Sequence, residues 1–361
     1  MSVQTQDILD MLETTRVDIE KFTFTDLSMD DDMQELIVMP YLLTKKGGLK
    51  IQRGGVGLEK TLMVENGGES EWIDEFAETT GTIIDHLKKM KVDYCLLHDS
   101  LTYMKGELLD NRGEAKLNDI ILPRRRSMWL RVAKTMESAF FGTPDPSNSL
   151  IPWGLLYWIV KNPEEGFNGG YPSGFEKIGN INLTEVPNFK NYTNEYTAIS
   201  KGDLITKMRK AHRATNWKSP RTDKGVTGDA QPSKRLILTN EDVLEGMENI
   251  GEAQNENLGR DLAPYTAGQN GPMGLMKTGQ GDLMFKQNPI IHARKLDSDS
   301  TNPLYGLDMS TIHAMTKAGD NMDLGEFEKH PTQGRAYTAK LYHSHQTICT
   351  NRRNNWVLNN G

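Results

Sequence analysis

The sequence predicts a mixed α+β protein with long loops. Apolar residues recur at helical spacing over residues 200–214, Arg235 to Leu238 form a short apolar strand, and a second helix follows to about Leu258. This alternation of helix and strand is typical of α+β architectures. The hydrophobic fraction of 37% is below the usual share and 33 residues are glycine, which indicates that much of the chain lies in loops and arms.

Composition and charge exclude several classes of protein. The chain has 361 residues and a formal net charge of -7, whereas a dedicated nucleic-acid binder usually carries a strongly basic domain. The two cysteines, Cys95 and Cys349, are too few for a disulfide framework. No charged segment followed by an apolar run opens the chain, and no apolar stretch reaches the roughly 20 residues of a membrane helix. We therefore expect a soluble protein of a reducing cytoplasm without membrane contact.

The first sixty residues predict an arm and an exposed hairpin. Residues 5–20 have the spacing of a short amphipathic helix, which belongs either to a mobile arm or to a terminal helix packed on its own domain. Residues 26–35 then carry five acids and no base. Leu36 to Leu43 and Leu49 to Gln52 are separated by a turn at Lys45 to Gly48, as in a hairpin. An isolated ribbon is marginally stable in water, so we expect a contact outside the local fold to support it.

Two helices and a strand are predicted next. Apolar residues on one face predict a helix over residues 71–89, and Asp93 to Tyr103 read as a strand ahead of a turn at Asp110 to Gly113. The stronger helical pattern runs from Ser127 to Phe141, where apolar residues recur every three or four positions. Gly142 ends it.

The second half of the chain alternates helices and strands after an irregular region. Residues 144–196 are rich in glycine, proline, asparagine and aromatic side chains and show no periodicity. Ser200 predicts the N-cap of the helix that follows, and Thr239 to Asp242 predict the start of the next one. Further predicted elements are strands near 289–294, 336–350 and 356–358 and a short helix at about 308–317.

Motif-like segments do not combine into a catalytic site. Gly54 to Thr61 superficially resemble a phosphate-binding loop, but Glu59 stands where that loop needs a glycine before the lysine. His343 and His345 share one face of a strand with Cys349 four residues later, which would allow a metal site, although ordinary polar positions on a half-exposed strand are the simpler interpretation. Nucleophile-elbow, metalloprotease and dinucleotide motifs are missing. We predict no enzyme activity, no cofactor and no metal.

Charge is segregated along the chain. Residues 44–60 hold five bases and one acid, residues 65–78 hold six acids and no base, and residues 201–221 add a second basic segment. Opposite patches on identical chains attract head to tail and can close into rings or shells, although a solvated surface is an equally open interpretation. The candidate contact residues are Lys45, Lys46, Lys50 and Arg53 in the basic segment and Glu69, Glu71, Asp74 and Glu75 in the acidic segment.

Several local patterns, in their order along the chain, resemble the major capsid proteins of tailed bacteriophages. They are Gly154 to Val160, Phe167 to Gly170, Asn191 and Tyr192, the basic helix within Ser200 to Pro220, Asn302 to Leu307, and Cys349 to Arg353. None is a catalytic signature, and the resemblance depends on their number and order across most of the chain. It implies an α+β fold of the Hong Kong 97-like kind.

The resemblance implies five segments. They are an N-terminal arm at 1–32, an extended β loop at 33–66, a peripheral domain with a spine helix at 67–149, an axial domain at 150–288, and the C-terminal part of the peripheral domain at 289–361. An extended loop that lies over a neighbouring subunit would explain the unsupported hairpin.

The function implied by the resemblance is structural. The chain would assemble with itself, through hexamers and pentamers, into the icosahedral head that encloses double-stranded DNA, and would reside in the virion after assembly in the host cytoplasm. Scaffolding, portal or decoration proteins are further expected partners, and the net charge of -7 favours weak, non-specific DNA contact. Arg124, Arg125 and Arg126 face either the interior or, as we prefer, an acidic patch of a neighbour. Two alternatives remain open, an enzyme built around the aromatic middle and a cellular nanocompartment shell.

Overall fold

The computed structural model of the protein describes residues 38–42, 48–55, 57–63, 72, 87–110, 114–215, 235–257, 283–286, 288–330 and 332–361. The helices are α1 (Met39–Leu42), α2 (Lys105–Asp110), α3 (Glu114–Phe141), α4 (Leu155–Trp158), α5 (Leu204–Thr215) and α6 (Glu241–Asn257). The strands are β1 (Leu49–Gln52), β2 (Gly57–Met63), β3 (Leu87–Asp93), β4 (Cys95–Met104), β5 (Tyr192–Tyr196), β6 (Arg235–Thr239), β7 (Met284–Phe285), β8 (Asn288–His292), β9 (Leu304–Asp308), β10 (Ile312–Lys317), β11 (Asp323–Leu324), β12 (Glu328–Lys329), β13 (Ala336–Cys349) and β14 (Trp356–Asn360). Short 3-10 turns lie at Pro187–Phe189, Arg294–Leu296 and Arg352–Asn354.

The long strand β13 organises the first sheet. It pairs antiparallel with β4 along most of its length and also with β10, β11 and β12. β1 joins the outer edge of β10 in parallel. One face of this sheet is covered by α3, whose Met128, Val132 and Met136 share a core with Leu101 and Tyr103 of β4. Helix and sheet thus bury their apolar faces against each other.

The second sheet has the strand order β5-β14-β9-β6-β8-β7 and is covered on both faces. Leu238 and Tyr305 belong to the core that also contains α3, whereas Ile237 and Leu304 pack with α5 and α6. Successive side chains of a strand point to opposite faces, so a sheet that is buried on both sides has nearly continuous apolar strands. This explains why β6 shows an apolar run rather than a polar alternation.

The predicted hairpin is wrong. β1 pairs with β10 of the same chain rather than with residues 36–43, of which Met39–Leu42 form the short helix α1. The antiparallel ribbon is formed instead by β2 and β3, whose register runs from Gly57 opposite Asp93 to Met63 opposite Leu87. A local pattern does not reveal that a short strand completes the edge of a sheet from the other end of the chain.

Helix α3 is longer than predicted. It begins at Glu114 rather than at Ser127 and contains Pro123. A proline lacks the N–H that an interior helix position needs, so it usually stands at a helix start. A helix that continues through Pro123 is therefore not expected from the sequence, and the predicted start is too late. Glu137, which is fully buried on α3, accepts the backbone N–H groups of residues 38 and 39 at 3.1 and 2.8 Å. These bonds fix α1 to α3.

One further predicted element is wrong, and the predicted end of another is corrected. The helix predicted at 308–317 is a strand, a turn and a strand: β9 ends at Asp308, whose carbonyl oxygen accepts the N–H of Thr311 at 2.9 Å, and β10 follows. Residues 87–89 begin β3 instead of ending the helix predicted at 71–89, of which residues 71 and 73–86 lie outside the described residues. In both cases pairing with a neighbouring strand overrides the local spacing of apolar residues.

Most predicted elements of the second half are confirmed. α5, β6, α6, β8, β13 and β14 lie within a few residues of their predicted bounds. Asn240 Oδ1 accepts an N–H of the first turn of α6 at 3.3 Å, as predicted. Ser200 is not the N-cap of α5, which begins at Leu204; its Oγ accepts the N–H of Asp203 at 3.2 Å in the turn before the helix. The predicted helix at 5–20 and the acidic stretch at 26–35 lie outside the described residues. Within the described ranges, no helix has both the length and the apolar character needed to cross a membrane.

Candidate intersubunit surface

Basic side chains gather where β1, β2 and β10 come together. The parallel pairing of β1 with β10 brings Lys50 beside His313, with 2.9 Å between Lys50 Nζ and His313 Nε2. Lys60 of β2 is close enough to both groups to act on their pKa values by electrostatic repulsion. Lys50, Lys60 and His313 are termed the basic cluster below.

Burial and mutual repulsion lower the pKa values of the basic cluster. Burial is the larger cause for Lys50, followed by the charge of Lys60, and burial alone lowers the pKa of Lys60. The pKa of His313 falls to about 4 through burial and then through the two lysines, so its ring is neutral at pH 7 and Nε2 accepts from the Lys50 ammonium. Within the described ranges, no carboxylate forms a salt bridge with either lysine. A carboxylate from another chain would relieve this repulsion.

The structure describes part of the predicted contact surface. Arg53 is exposed, and so is Lys50 as a whole residue, although its ammonium group is partly desolvated against His313. The other basic candidates, Lys45 and Lys46, and the acidic candidates Glu69, Glu71, Asp74 and Glu75 lie outside the described residues. His313 was not predicted, because it lies 263 positions from Lys50 in the sequence and no local pattern links the two. Lys60 belongs to the predicted basic segment but was not among the contact candidates.

The three consecutive arginines lie inside α3, not before it. Arg124 donates to both carboxylate oxygens of Glu107 at 2.9 and 2.5 Å, and this hydrogen bonding lowers the pKa of Glu107. The Arg124 guanidinium also lies 5.3 Å from the centroid of the Tyr103 ring. Arg125 is 2% exposed and offers no surface to a neighbour, whereas Arg126 is exposed. Arg126 is therefore the candidate of the three for a contact with a neighbouring subunit, because Arg125 is buried and Arg124 binds Glu107 of its own chain.

Comparison with solved structures reveals similar chains. No family model and no curated protein matches the sequence. A chain of the cyanophage A-1(L) capsid asymmetric unit aligns with a TM-score of 0.57 at 13% identity, covering 93% of this chain and 96% of that one. Capsid chains of the empty and the native GTA particle align with TM-scores of 0.52 and 0.51 at 12% and 11% identity; both alignments cover 87% of this chain, and they cover 87% and 88% of those chains.

The chain has the fold of these capsid proteins. Because the alignments cover nearly the whole length of both partners, the likeness concerns the complete arrangement of two sheets and a long helix. It confirms the predicted α+β, Hong Kong 97-like fold class. At 13% identity the likeness is one of fold, and function does not follow from fold alone.

Within this capsid fold, the glycine-rich segment does not have the geometry of a phosphate-binding loop. Gly54 and Gly55 adopt positive φ angles of 82° and 107° in the turn between β1 and β2. Lys60 and Thr61 then lie within a strand, whereas a phosphate-binding loop leads into a helix whose N-terminus faces the phosphate. The glycines serve the sharp turn, because this backbone conformation strains other residues.

The two histidines of β13 are buried, not half-exposed as predicted. His343 Nδ1 accepts the N–H of Met322 at 3.3 Å, and the rings of His343 and His345 lie 5.6 Å apart. Burial lowers their pKa values to about 4 and about 3 respectively, so both rings are neutral at pH 7. Cys349 Sγ lies 3.5 Å from Asn355 Nδ2, and burial raises the thiol pKa to about 11. These side chains belong to the interior of the capsid fold.

The aromatic middle of the chain is part of the core. The rings of Trp153 and Tyr157 stack with centroids 4.2 Å apart, and Tyr157 meets Phe175 nearly edge-on at 5.1 Å. The indole of Trp158, only 2% exposed, donates to the carbonyl oxygen of Thr347 in β13 at 2.9 Å. These aromatic rings therefore pack against β13 and against each other.

Arg352 ties the irregular middle region to the C-terminal strands. Its fully buried guanidinium donates to the carbonyl oxygens of Trp158 at 2.5 Å, Gly170 at 3.2 Å and Phe189 at 3.4 Å, and to Asn191 Oδ1 at 2.8 Å. Burial lowers its pKa to about 10, which leaves the group charged at pH 7. One side chain thus joins the end of α4, Gly170 and the segment that contains Phe189 and Asn191.

Proposed function

We propose that the protein is the major capsid protein of a tailed bacteriophage, a structural protein that assembles with itself into the icosahedral head around double-stranded DNA. The observation that carries the proposal is the likeness to the cyanophage A-1(L) capsid chain over 93% of this chain and 96% of that one. In this proposal α3 is the spine helix, and the second sheet with α5 and α6 is the axial domain. Because β8, β9 and β14 belong to that sheet, we assign them to the axial domain in place of the C-terminal part of the peripheral domain. Identical subunits would form hexamers and pentamers by head-to-tail contacts.

The ribbon of β2 and β3 supports a role in contact between subunits. It forms a sheet of its own beside the two larger sheets. The end near Gly57 and Asp93 is anchored in its own subunit, because Leu58, Met90 and Val92 lie in the core and the Lys91 N–H donates to the Gly179 carbonyl oxygen at 3.0 Å. The other end of the ribbon, at Leu87, is exposed. We assign the extended loop to this ribbon and the residues it encloses, 57–93, in place of 33–66. We propose that the exposed end of the ribbon contacts a neighbouring subunit.

Charge supports one arrangement of that contact. The six acids of residues 65–78 lie between β2 and β3 in the sequence, and the described residues provide no carboxylate for Lys50 or Lys60. We infer that the acidic segment of one subunit contacts the basic cluster and Arg53 of the next. Partly desolvated ammonium groups gain more from such a partner than solvated ones do.

Charge reversal tests this contact. Lys50→Glu with Lys60→Glu should leave a folded subunit by circular dichroism, because Lys50 is exposed and Lys60 half-buried and one pair of like charges replaces another, and should block assembly. Lys340→Glu, at another exposed position of the first sheet, is the matched control and should assemble. Adding Glu69→Lys and Glu71→Lys to the double variant should restore assembly in part. Normal shells from the double variant would contradict the inferred contact without contradicting the capsid proposal.

Electron microscopy tests the function itself. Purified protein should elute as capsomers or large particles in gel filtration, and negative-stain images should show closed shells or rings. The alternative of an enzyme predicts a small oligomer without shells, whereas a nanocompartment predicts shells that enclose protein cargo instead of DNA. Shells isolated from phage-producing cells should contain double-stranded DNA, and persistent small oligomers under all assembly conditions would refute the capsid proposal.

The remaining partners follow from the same proposal. Scaffolding, portal or decoration proteins would join the subunits in the virion after assembly in the host cytoplasm. With a net charge of -7, the shell would hold packaged DNA by weak, salt-sensitive contacts.

Arg126→Ser should weaken shells in salt and leave the DNA content of surviving particles unchanged if this arginine contacts a neighbour. A lower DNA content in shells of normal stability would place Arg126 on the inner face instead.

A further inference from the structure

Three side chains of types that can bind metal ions, Glu241, His292 and Asp297, lie together at one edge of the second sheet. β6 and β8 run parallel with Thr239 opposite His292, so both strands end at the same edge. Glu241 is the first residue of α6, which follows β6 directly, and Asp297 closes the 3-10 turn after β8. The carboxyl ends of parallel strands are a common place for bound ligands because the chain turns away there and leaves room beside the strand ends.

The three side chains are held close together. Their ligand atoms all lie within 4.8 Å of one another. His292 Nε2 is 2.9 and 3.0 Å from the two oxygens of Asp297, and Asp297 Oδ1 accepts the backbone N–H of Glu241 at 3.1 Å. The histidine and aspartate side chains are 28% and 35% exposed. The bond to a backbone amide fixes the Asp297 carboxylate, which in turn orients the His292 ring, and Glu241 adds an exposed carboxylate beside them.

A buried hydroxyl beside this group lacks a partner. Thr239 is fully buried, and its Oγ1 has no hydrogen-bond partner within the described part of the chain. Because Thr239 and His292 are register partners on adjacent strands, their side chains lie on the same face of the sheet. Buried polar atoms are rarely left unpaired. A ligand bound beside His292 would give this oxygen a partner.

We propose that Glu241, His292 and Asp297 bind a divalent first-row transition cation such as Zn²⁺ or Mn²⁺, with the Thr239 hydroxyl and water completing its coordination. One imidazole and two carboxylates suit such ions, and the two negative charges balance that of the cation. The imidazole binds through Nε2, so its remaining proton resides on Nδ1. The positive start of α6 opposes the cation, so the affinity is modest. The ion ties the end of β8 to the start of α6.

Metal titration of the whole chain tests the site. Protein treated with EDTA and dialysed is titrated with Mn²⁺ alone and with Zn²⁺ alone by isothermal calorimetry, and each should bind saturably at one ion per chain. His292→Ala and Glu241→Gln should abolish saturable binding; the second position is exposed, which makes a folded variant expected. Glu248→Gln, an exposed carboxyl further along α6, is the control and should bind like the wild type.

Thermal unfolding distinguishes metal binding at this site from non-specific binding of the cation to acidic side chains. The metal should raise the Tm of the wild type and of Glu248→Gln but not that of His292→Ala. Thr239→Val should fold at least as well without metal, because it removes an unpaired hydroxyl, yet bind the ion about tenfold more weakly. Absence of one-to-one binding, or equal binding by His292→Ala, would overturn the proposal. The test uses the purified subunit, so its outcome is independent of the capsid proposal.

Discussion

Replacing Arg352 with methionine should lower the free energy of unfolding by about 3 kcal/mol. Three of its four hydrogen bonds, to Trp158, Gly170 and Asn191, are 3.2 Å or shorter, whereas the fourth, to Phe189, is 3.4 Å. Hydrogen bonds from a charged donor contribute about 1.5–3 kcal/mol each, and burying the charge offsets several kcal/mol of that sum. Methionine is unbranched and flexible, so it retains much of the packing while all four acceptors lose their donor.

Thermal unfolding followed by circular dichroism measures this effect. A chain of this length should unfold with an entropy of about 0.8 kcal/mol/K, so the substitution should lower Tm by about 4 °C. Arg353→Met is the matched control, because this exposed guanidinium contacts only the Phe167 ring at 3.9 Å and Asn188 at 3.3 Å among the described residues. These contacts contribute about 1 kcal/mol or less. Equal Tm shifts for the two variants would refute the reasoning, since the buried hydrogen bonds would then add nothing.

Three further predictions concern the packing of the two sheets. Burial lowers the pKa values of His343 and His345 to about 4 and about 3, so the unfolded chain binds more protons below about pH 6.5 and stability should fall by about 2 kcal/mol per ring by pH 5. Urea unfolding between pH 7 and pH 5 measures this, and an unchanged midpoint would contradict it. Gly306→Ala should disrupt the second sheet, because a Cβ there would lie 2.0 Å from Trp356 Cε2; limited proteolysis should become faster, and wild-type resistance would show that the sheet adapts. Glu137→Gln should lower the urea midpoint by an amount equivalent to about 1–2 kcal/mol, because an amide offers one acceptor oxygen to the two N–H groups that the carboxylate now binds, whereas an unchanged midpoint would show that the second bond contributes nothing.

Elements were predictable where local pattern and tertiary packing agree. α5 and α6 have apolar spacing, and Asn240 caps α6, so the sequence places both helices within a few residues. In residues 308–317, by contrast, Met309, Ile312 and Met315 recur at a spacing compatible with a helix, yet β10 is held as a strand by β13 and β1. Such pairing joins segments that are distant in sequence, and a local pattern carries no information about it.

The candidate surface was predictable in its charge but not in its geometry. Counting bases identifies the segment that contains Lys50 and Arg53, yet it does not show that β1 pairs in its own chain and brings Lys50 to His313. Nor does a count distinguish the buried Arg125 from the exposed Arg126. Burial decides which charges a neighbour can reach, and it depends on tertiary packing that the linear sequence does not display.

The strand order of the first sheet has a consequence for assembly. Among the described strands β1 pairs with β10, and β10 pairs in turn with β13, so the contact between Lys50 and His313 depends on a pairing of segments 263 positions apart. Pairings between distant segments form late, because the long intervening loop must close before the contact stabilises it. The basic cluster is therefore a property of the completed subunit. Under the proposed function, a subunit acquires this surface only once its sheet is complete, which would keep incomplete chains from associating through it.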